Sequence, residues 1–161
     1  MLIIVWEAHF FPDRDTPLLP HHRRFLSMLG DPSQPSVART VLIVEDNELN
    51  LKLLNDILEY QGYTVFTTRL GEPALELARQ YRPDLILMDI QLPDISGMEA
   101  TRRLKADEQT RSIPVIAVTA FAMSGDEEKI RASGCDAYVA KPFNVTEFLK
   151  VIEDWTTRNR A

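Results

Sequence analysis

The sequence predicts an α/β protein in which five strands of one parallel sheet alternate with five helices. Three observations carry this expectation. From Val41 onward short apolar runs alternate with amphipathic stretches. The runs are nearly continuous in apolar residues, as strands covered by helices on both faces must be. The chain is 161 residues long with 45% apolar content, enough for one core and too little for two large domains.

The expected strands are 41–44, 63–67, 85–88, 114–118 and 137–140. The first helix is expected over 48–60, where Leu49, Leu53, Leu54, Ile57 and Leu58 form one apolar stripe and Gly62 is placed to end it. The second spans 72–81, with Pro73 in its first turn and Pro83 beyond its end. The third starts near Gly97 and carries Met98, Ala100 and Leu104. The fourth, 125–132, is short and strongly charged. The last, 144–158, puts Phe148, Ile152 and Trp155 on one face behind Asn144 as N-cap, with Trp155 read as core and not as a partner anchor.

Residues 1–39 stand apart from this pattern, and the domain proper is expected over 40–159. Half of the ten prolines and all three histidines precede Thr40, with no sustained periodicity. The run Asp31-Pro32-Ser33-Gln34-Pro35-Ser36 reads as a linker, because proline removes amide donors and biases its predecessor away from helix. A docking or membrane-touching tail built on 1–11 and 21–28 is one reading of this segment. A poorly ordered N-terminal extension is the plainer one, and it is preferred because termini commonly lack order.

The apolar run 1–6 is far short of the roughly 20 residues that cross a bilayer, and the basic pair Arg23 and Arg24 follows it instead of preceding it. Neither a membrane anchor nor a signal peptide is expected, so a cytoplasmic setting is. A net charge of −6 argues against nucleic-acid and anionic-membrane partners, which repel a negative protein. The lone Cys135 excludes an internal disulfide and is read as a small buried residue. Twenty residues follow Lys141, so one helix is expected there and a C-terminal DNA-binding domain is not.

Ligands of open parallel sheets bind outside the carboxyl ends of the strands. Here the first strand ends in Glu45 and Asp46, the third in Asp89, the fourth in Thr119 and the fifth in Lys141. Each alone has a dull explanation as a cap or turn residue. Together they have one chemistry. Carboxylates about 5 Å apart repel by roughly 3 kcal/mol per pair at an effective dielectric of 20. Lys141 supplies one compensating charge, and a hard divalent cation, Mg²⁺ or Mn²⁺, suits the remaining all-oxygen set. Asp46 and Asp89 are the expected direct ligands, with Glu45 acting through water. Such a site suits phosphoryl transfer, with Asp89 as nucleophile and with Lys141 and Thr119 holding the phosphoryl oxygens. No strong general base is placed to hydrolyse the product quickly, which suits a switch.

The stretches Val41-Leu42-Ile43-Val44-Glu45-Asp46-Asn47, Leu87-Met88-Asp89-Ile90-Gln91-Leu92-Pro93 with Gly97, Val118-Thr119-Ala120 and Lys141-Pro142 resemble the CheY-like receiver domains of two-component signalling, over about 39–157. Within that family, Glu48-Leu49-Asn50 and the run from Thr119 to Glu128 are most similar to the DivK-type single-domain regulators of bacterial division and polarity. The resemblance implies a (βα)₅ flavodoxin-like, doubly wound five-stranded sheet with Asp89 as phosphoacceptor. It implies Mg²⁺ on Asp46, Asp89 and the backbone carbonyl of Gln91, and a Lys141-Pro142 bond that is often cis. It also implies a switch in which Thr119 moves toward the phosphoryl group and Tyr138 rotates inward, altering the face of the fourth helix, fifth strand and fifth helix where a downstream protein binds. The phosphoryl donor would be a histidine kinase or a histidine phosphotransfer protein.

Two other readings compete. A small aspartate-nucleophile phosphatase would want an acid where Gln91 stands, two residues after Asp89. A flavin-binding protein of the same fold would want hydroxyls and glycine after the first strand, where Glu45 and Asp46 repel a phosphate. A phosphoacceptor that assists its own labelling, and not a turnover enzyme, is therefore expected.

Overall fold

The computed structural model describes residues 39–120 and 126–158. The expected N-terminal extension, and Gly125 as the start of the fourth helix, lie outside the described residues. In chain order the elements are β1 (Thr40–Val44), α1 (Glu48–Tyr60), β2 (Thr64–Thr68), α2 (Gly71–Tyr81), β3 (Leu85–Asp89), α3 (Gly97–Ala106), β4 (Val115–Thr119), α4 (Asp126–Ala132), β5 (Ala137–Ala140) and α5 (Val145–Arg158). The strands form one parallel sheet in the order β2-β1-β3-β4-β5, the doubly wound flavodoxin-like arrangement.

Alternation along the strands divides the core into two layers. Leu42, Val44, Ile86, Met88, Val115 and Ala117 face Ala74 and Ala78 of α2, Leu104 of α3 and Ile130 of α4. Val41, Ile43, Leu85, Leu87, Ile116 and Val118 face Leu54 and Leu58 of α1 and Phe148 and Ile152 of α5. This explains the unbroken apolar runs: β1 from Val41 onward, and all of β3 and β4, are buried.

Local chemistry sets several helix ends. The Asn47 carboxamide accepts the amides of Leu49 and Asn50, each at 3.0 Å, and starts α1. Ser96 Oγ accepts from Glu99 at 3.2 Å to start α3, and Asn144 Oδ1 accepts from Thr146 at 2.8 Å ahead of α5. Gly62, at a φ of 82°, ends α1 in the left-handed region.

Several expectations shift by a residue or change face. The second strand starts at Thr64 because the amide of Tyr63 turns back to the carbonyl of Leu58 and belongs to the end of α1. The fourth starts at Val115, since Pro114 has no amide to enter the ladder and offers only its carbonyl, to Ile86. Leu49 is not part of the buried stripe: it is 77% exposed, sitting in the first turn of α1 beyond the edge of the sheet. Trp155 is half-buried against the second core layer, with the Arg158 guanidinium 5.4 Å from its ring centroid. Cys135 is buried, as expected, beside Ser133 and Thr101.

Gly97 determines how closely α3 approaches β3. A Cβ on this residue would lie 1.9 Å from the carbonyl oxygen of Asp89 and 2.8 Å from its carbonyl carbon. Both are backbone atoms of a buried strand and have no rotamer to change. Gly97→Ala is expected to cost about 3 kcal/mol, the upper end of overpacking costs, in urea unfolding at neutral pH. A loss below about 0.5 kcal/mol would show that this contact does not set the spacing.

Candidate functional site: an acidic pocket at the strand ends

Strand order reverses between β1 and β3, so the loops leaving their carboxyl ends part and open a crevice. Glu45 and Asp46 follow β1, and Asp89 ends β3 one position beyond the paired Val44 and Met88. One carboxylate oxygen from each of the three lies within 4.8 Å of the others. Glu45 and Asp89 are buried and Asp46 is half-buried. Their donor set is all oxygen and their charge is −3 before compensation, which fits a small hard cation and not a thiolate- or imidazole-seeking metal.

Lys141 answers part of that charge. Its Nζ lies 2.8 Å from Asp89 Oδ2 and 2.5 Å from Glu45 Oε2. The ammonium reaches both because Lys141 follows β5, whose last residue pairs with Thr119 of β4, and the Lys141 amide donates to the Thr119 carbonyl at 2.7 Å. The Lys141-Pro142 bond is cis. Thr119 is buried at the end of β4, one strand over from Asp89. The amide of Gln91 donates to Asp89 Oδ1 at 2.9 Å, turning the chain around the carboxylate. Tyr138 is half-buried on β5, and its hydroxyl donates to Glu127 Oε2 of α4 at 3.2 Å. The fold thus gathers Glu45, Asp46, Asp89, Gln91, Thr119 and Lys141 at one edge, with Tyr138 further back along β5.

Two contacts were not read from the sequence. Asn50 Nδ2 donates to Glu45 Oε1 at 3.3 Å, from the first turn of α1. Arg69, just past β2, donates from Nε to the carbonyl of Asp46 at 3.0 Å. The carboxyl end of the second strand is on the same sheet edge as the acids, and applying the strand-end rule there would have singled out Arg69.

Residues 41–153 match the response regulator receiver domain family. The chain belongs to that family. Receiver domains similar to this one include the polar-differentiation response regulator DivK of Brucella ovis, 58% identical over 119 residues that make up 74% of this chain and 97% of the relative. DivK of Brucella anthropi is 59% identical over 117 residues, 73% of this chain and 95% of its own. Among solved structures, the receiver domain of a sensor histidine kinase from Pseudomonas aeruginosa superposes with a TM-score of 0.71 at 37% identity, covering 75% of this chain and 99% of that one. It was solved with a magnesium ion coordinated in its active-site cleft. A CheY-like receiver domain from Methanospirillum hungatei gives a TM-score of 0.71 at 28% identity over 76% of this chain and 97% of its own. The protein is thus a DivK-like response regulator of two-component signalling. Among the described residues no helix is long and apolar enough to cross a membrane.

The receiver pocket perturbs two of its own groups. Burial pushes the Glu45 carboxyl up; Lys141 pulls it down, Asp89 pushes it up again, and the balance lies above its ordinary 4.5. Burial lowers the Lys141 ammonium, but hydrogen bonds and charge from Asp89 and Glu45 outweigh it and hold it above 10.5. A raised Glu45 binds its proton more tightly folded than unfolded. Its contribution to stability is therefore complete below pH 4.5 and is lost as pH rises through its folded value. Lys141 contributes fully below pH 10.5 and loses that contribution as pH rises through its folded value. In chelator, Glu45→Gln is expected to gain stability relative to the parent as pH climbs from 4.5, measured by urea unfolding across pH. Parallel curves for the two proteins would contradict the assignment.

Proposed function

We propose that the protein is a phosphorylation switch in which Asp89 accepts a phosphoryl group from a histidine kinase or histidine phosphotransfer protein and passes the signal on through protein contacts. The observation that carries this reading is the convergence of Glu45, Asp46 and Asp89 within 4.8 Å, with Lys141 bound to two of them. In the transfer an Asp89 carboxylate oxygen bonds to phosphorus while the bond from phosphorus to the donor nitrogen breaks and the donor leaves with that electron pair. The product is an aspartyl phosphate.

Mg²⁺, or Mn²⁺ in its place, would be held by Asp46, Asp89 and the backbone carbonyl of Gln91, with Glu45 acting through water, and would neutralise charge on the transferring group. The remaining work falls to the chain itself. The Gln91 amide fixes one Asp89 oxygen and leaves the other toward Lys141. Once the carboxylate is phosphorylated, Lys141 would hold a phosphoryl oxygen in exchange for Asp89 Oδ2. The Thr119 hydroxyl takes another. Repositioning of Thr119 and of Tyr138 then changes the face formed by α4, β5 and α5, where the downstream protein binds, so phosphorylation becomes a shift of population between two forms of that face. The setting is the cytoplasm, and neither nucleic acid nor membrane is a partner.

Incubation with acetyl phosphate and Mg²⁺ is expected to add one phosphoryl group by intact-mass measurement, and the adduct should be absent with chelator or in Asp89→Asn. An adduct that persists in Asp89→Asn would place the acceptor elsewhere.

A further inference from the structure

The receiver pocket draws on two loops, residues 45–47 after β1 and residues 90–96 after β3, and both are fastened to a third segment that offers the pocket no carboxylate. That segment is residues 68–72, the turn from β2 into α2. On one side the amide of Glu45 donates to the carbonyl of Thr68 at 3.1 Å, and Arg69 Nε donates to the carbonyl of Asp46 at 3.0 Å. The same guanidinium pairs with Glu48 Oε1 at 2.6 Å, which aims it across the first loop.

On the other side the Asp94 carboxylate accepts two amides of the segment, Oδ1 from Gly71 and Oδ2 from Glu72, each at 2.8 Å. This is a helix cap delivered from 23 positions away. The residue in the capping position of α2 is Leu70, whose side chain cannot accept, so the first turn of the helix takes its acceptor from the loop that carries Gln91. Ile95 closes the joint. A Cβ on Gly71 would lie 2.6 Å from Ile95 Cγ1 and 3.3 Å from the Ile95 carbonyl, so a larger residue there would push on Ile95.

We infer that residues 68–72 are a brace that sets the separation of the two ligand loops, with Arg69 and Asp94 as positioning residues for the divalent cation. The inference rests on the metal site proposed above. Neither residue touches the cation; each fixes the backbone that presents a ligand, Arg69 through the carbonyl of Asp46 and Asp94 through the loop of Gln91. Exposed ion pairs and caps contribute to stability in any fold, and a role confined to stability is the alternative to be excluded.

The test is calorimetric titration of MgCl₂ into the parent, Arg69→Ala, Asp94→Ala and Asp94→Asn, well below each thermal midpoint. Amide hydrogen exchange of the metal-free proteins runs alongside. Arg69→Ala and Asp94→Ala are each expected to weaken Mg²⁺ binding about tenfold, the lower end of losses seen when the support of metal ligands is removed. Asp94→Asn keeps one acceptor oxygen and should fall between. The amides of Gln91 and Gly97 should exchange faster in metal-free Asp94→Ala than in the parent. Lower thermal midpoints with Mg²⁺ affinity unchanged within about twofold would reduce both residues to ordinary stabilising contacts and overturn the brace. A parent that takes up no Mg²⁺ would overturn the metal site itself, a different failure.

Discussion

The molecule is organised around an electrostatic debt at the carboxyl edge of its sheet. Three carboxylates, two of them buried, have oxygens within 4.8 Å of one another, and one ammonium stands against them. At such separations each pair repels by roughly 3 kcal/mol, so one lysine leaves the pocket short of balance. Burial worsens this for Glu45, whose carboxyl is held above its ordinary range. A group of charges that opposes folding persists where binding something there is the purpose, and a small divalent cation followed by a phosphoryl group is the sequence of ligands that this pocket suits.

The rest of the fold supplies the rigidity that such a pocket needs. Two apolar layers, one under α1 and α5 and the other under α2, α3 and α4, clamp β1, β3 and β4 from both sides. The residues that end those strands are therefore fixed by burial of the residues just before them. Gly97 brings α3 against the carbonyl of Asp89, and the Gln91 amide turns back onto the Asp89 side chain. On the other side of Lys141 and Thr119, β5 is an edge strand and Tyr138 reaches across to α4.

What could be read from the sequence was what depends on short range. The continuous apolar runs gave β1, β3 and β4 because residues buried on both faces have no room for polar alternation. Asn144 could be read as a cap because it accepts amides two and three positions on. The strand-end acids and Lys141 were legible because parallel topology brings all such ends to one edge. Leu49 was misplaced because helical periodicity continues into a first turn that has already left the sheet. The first residue of β2 was misplaced because the amide of Tyr63 is claimed by the end of α1, a competition that composition does not show. Asp94 could not be found by local rules, because the amides it accepts lie 22 and 23 positions away, whereas Arg69 stands at a strand end and was open to the same rule as the acids.

Without metal the carboxylates of the pocket oppose folding, and unfolding of the parent and Asp89→Asn with and without Mg²⁺ measures this directly. In chelator, removing one carboxylate should make Asp89→Asn the more stable protein. Saturating Mg²⁺ should reverse the order, stabilising the parent by about 2.7 kcal/mol at a hundred times the dissociation constant. A parent that is the more stable of the two without metal, and whose unfolding does not respond to Mg²⁺, would contradict the account.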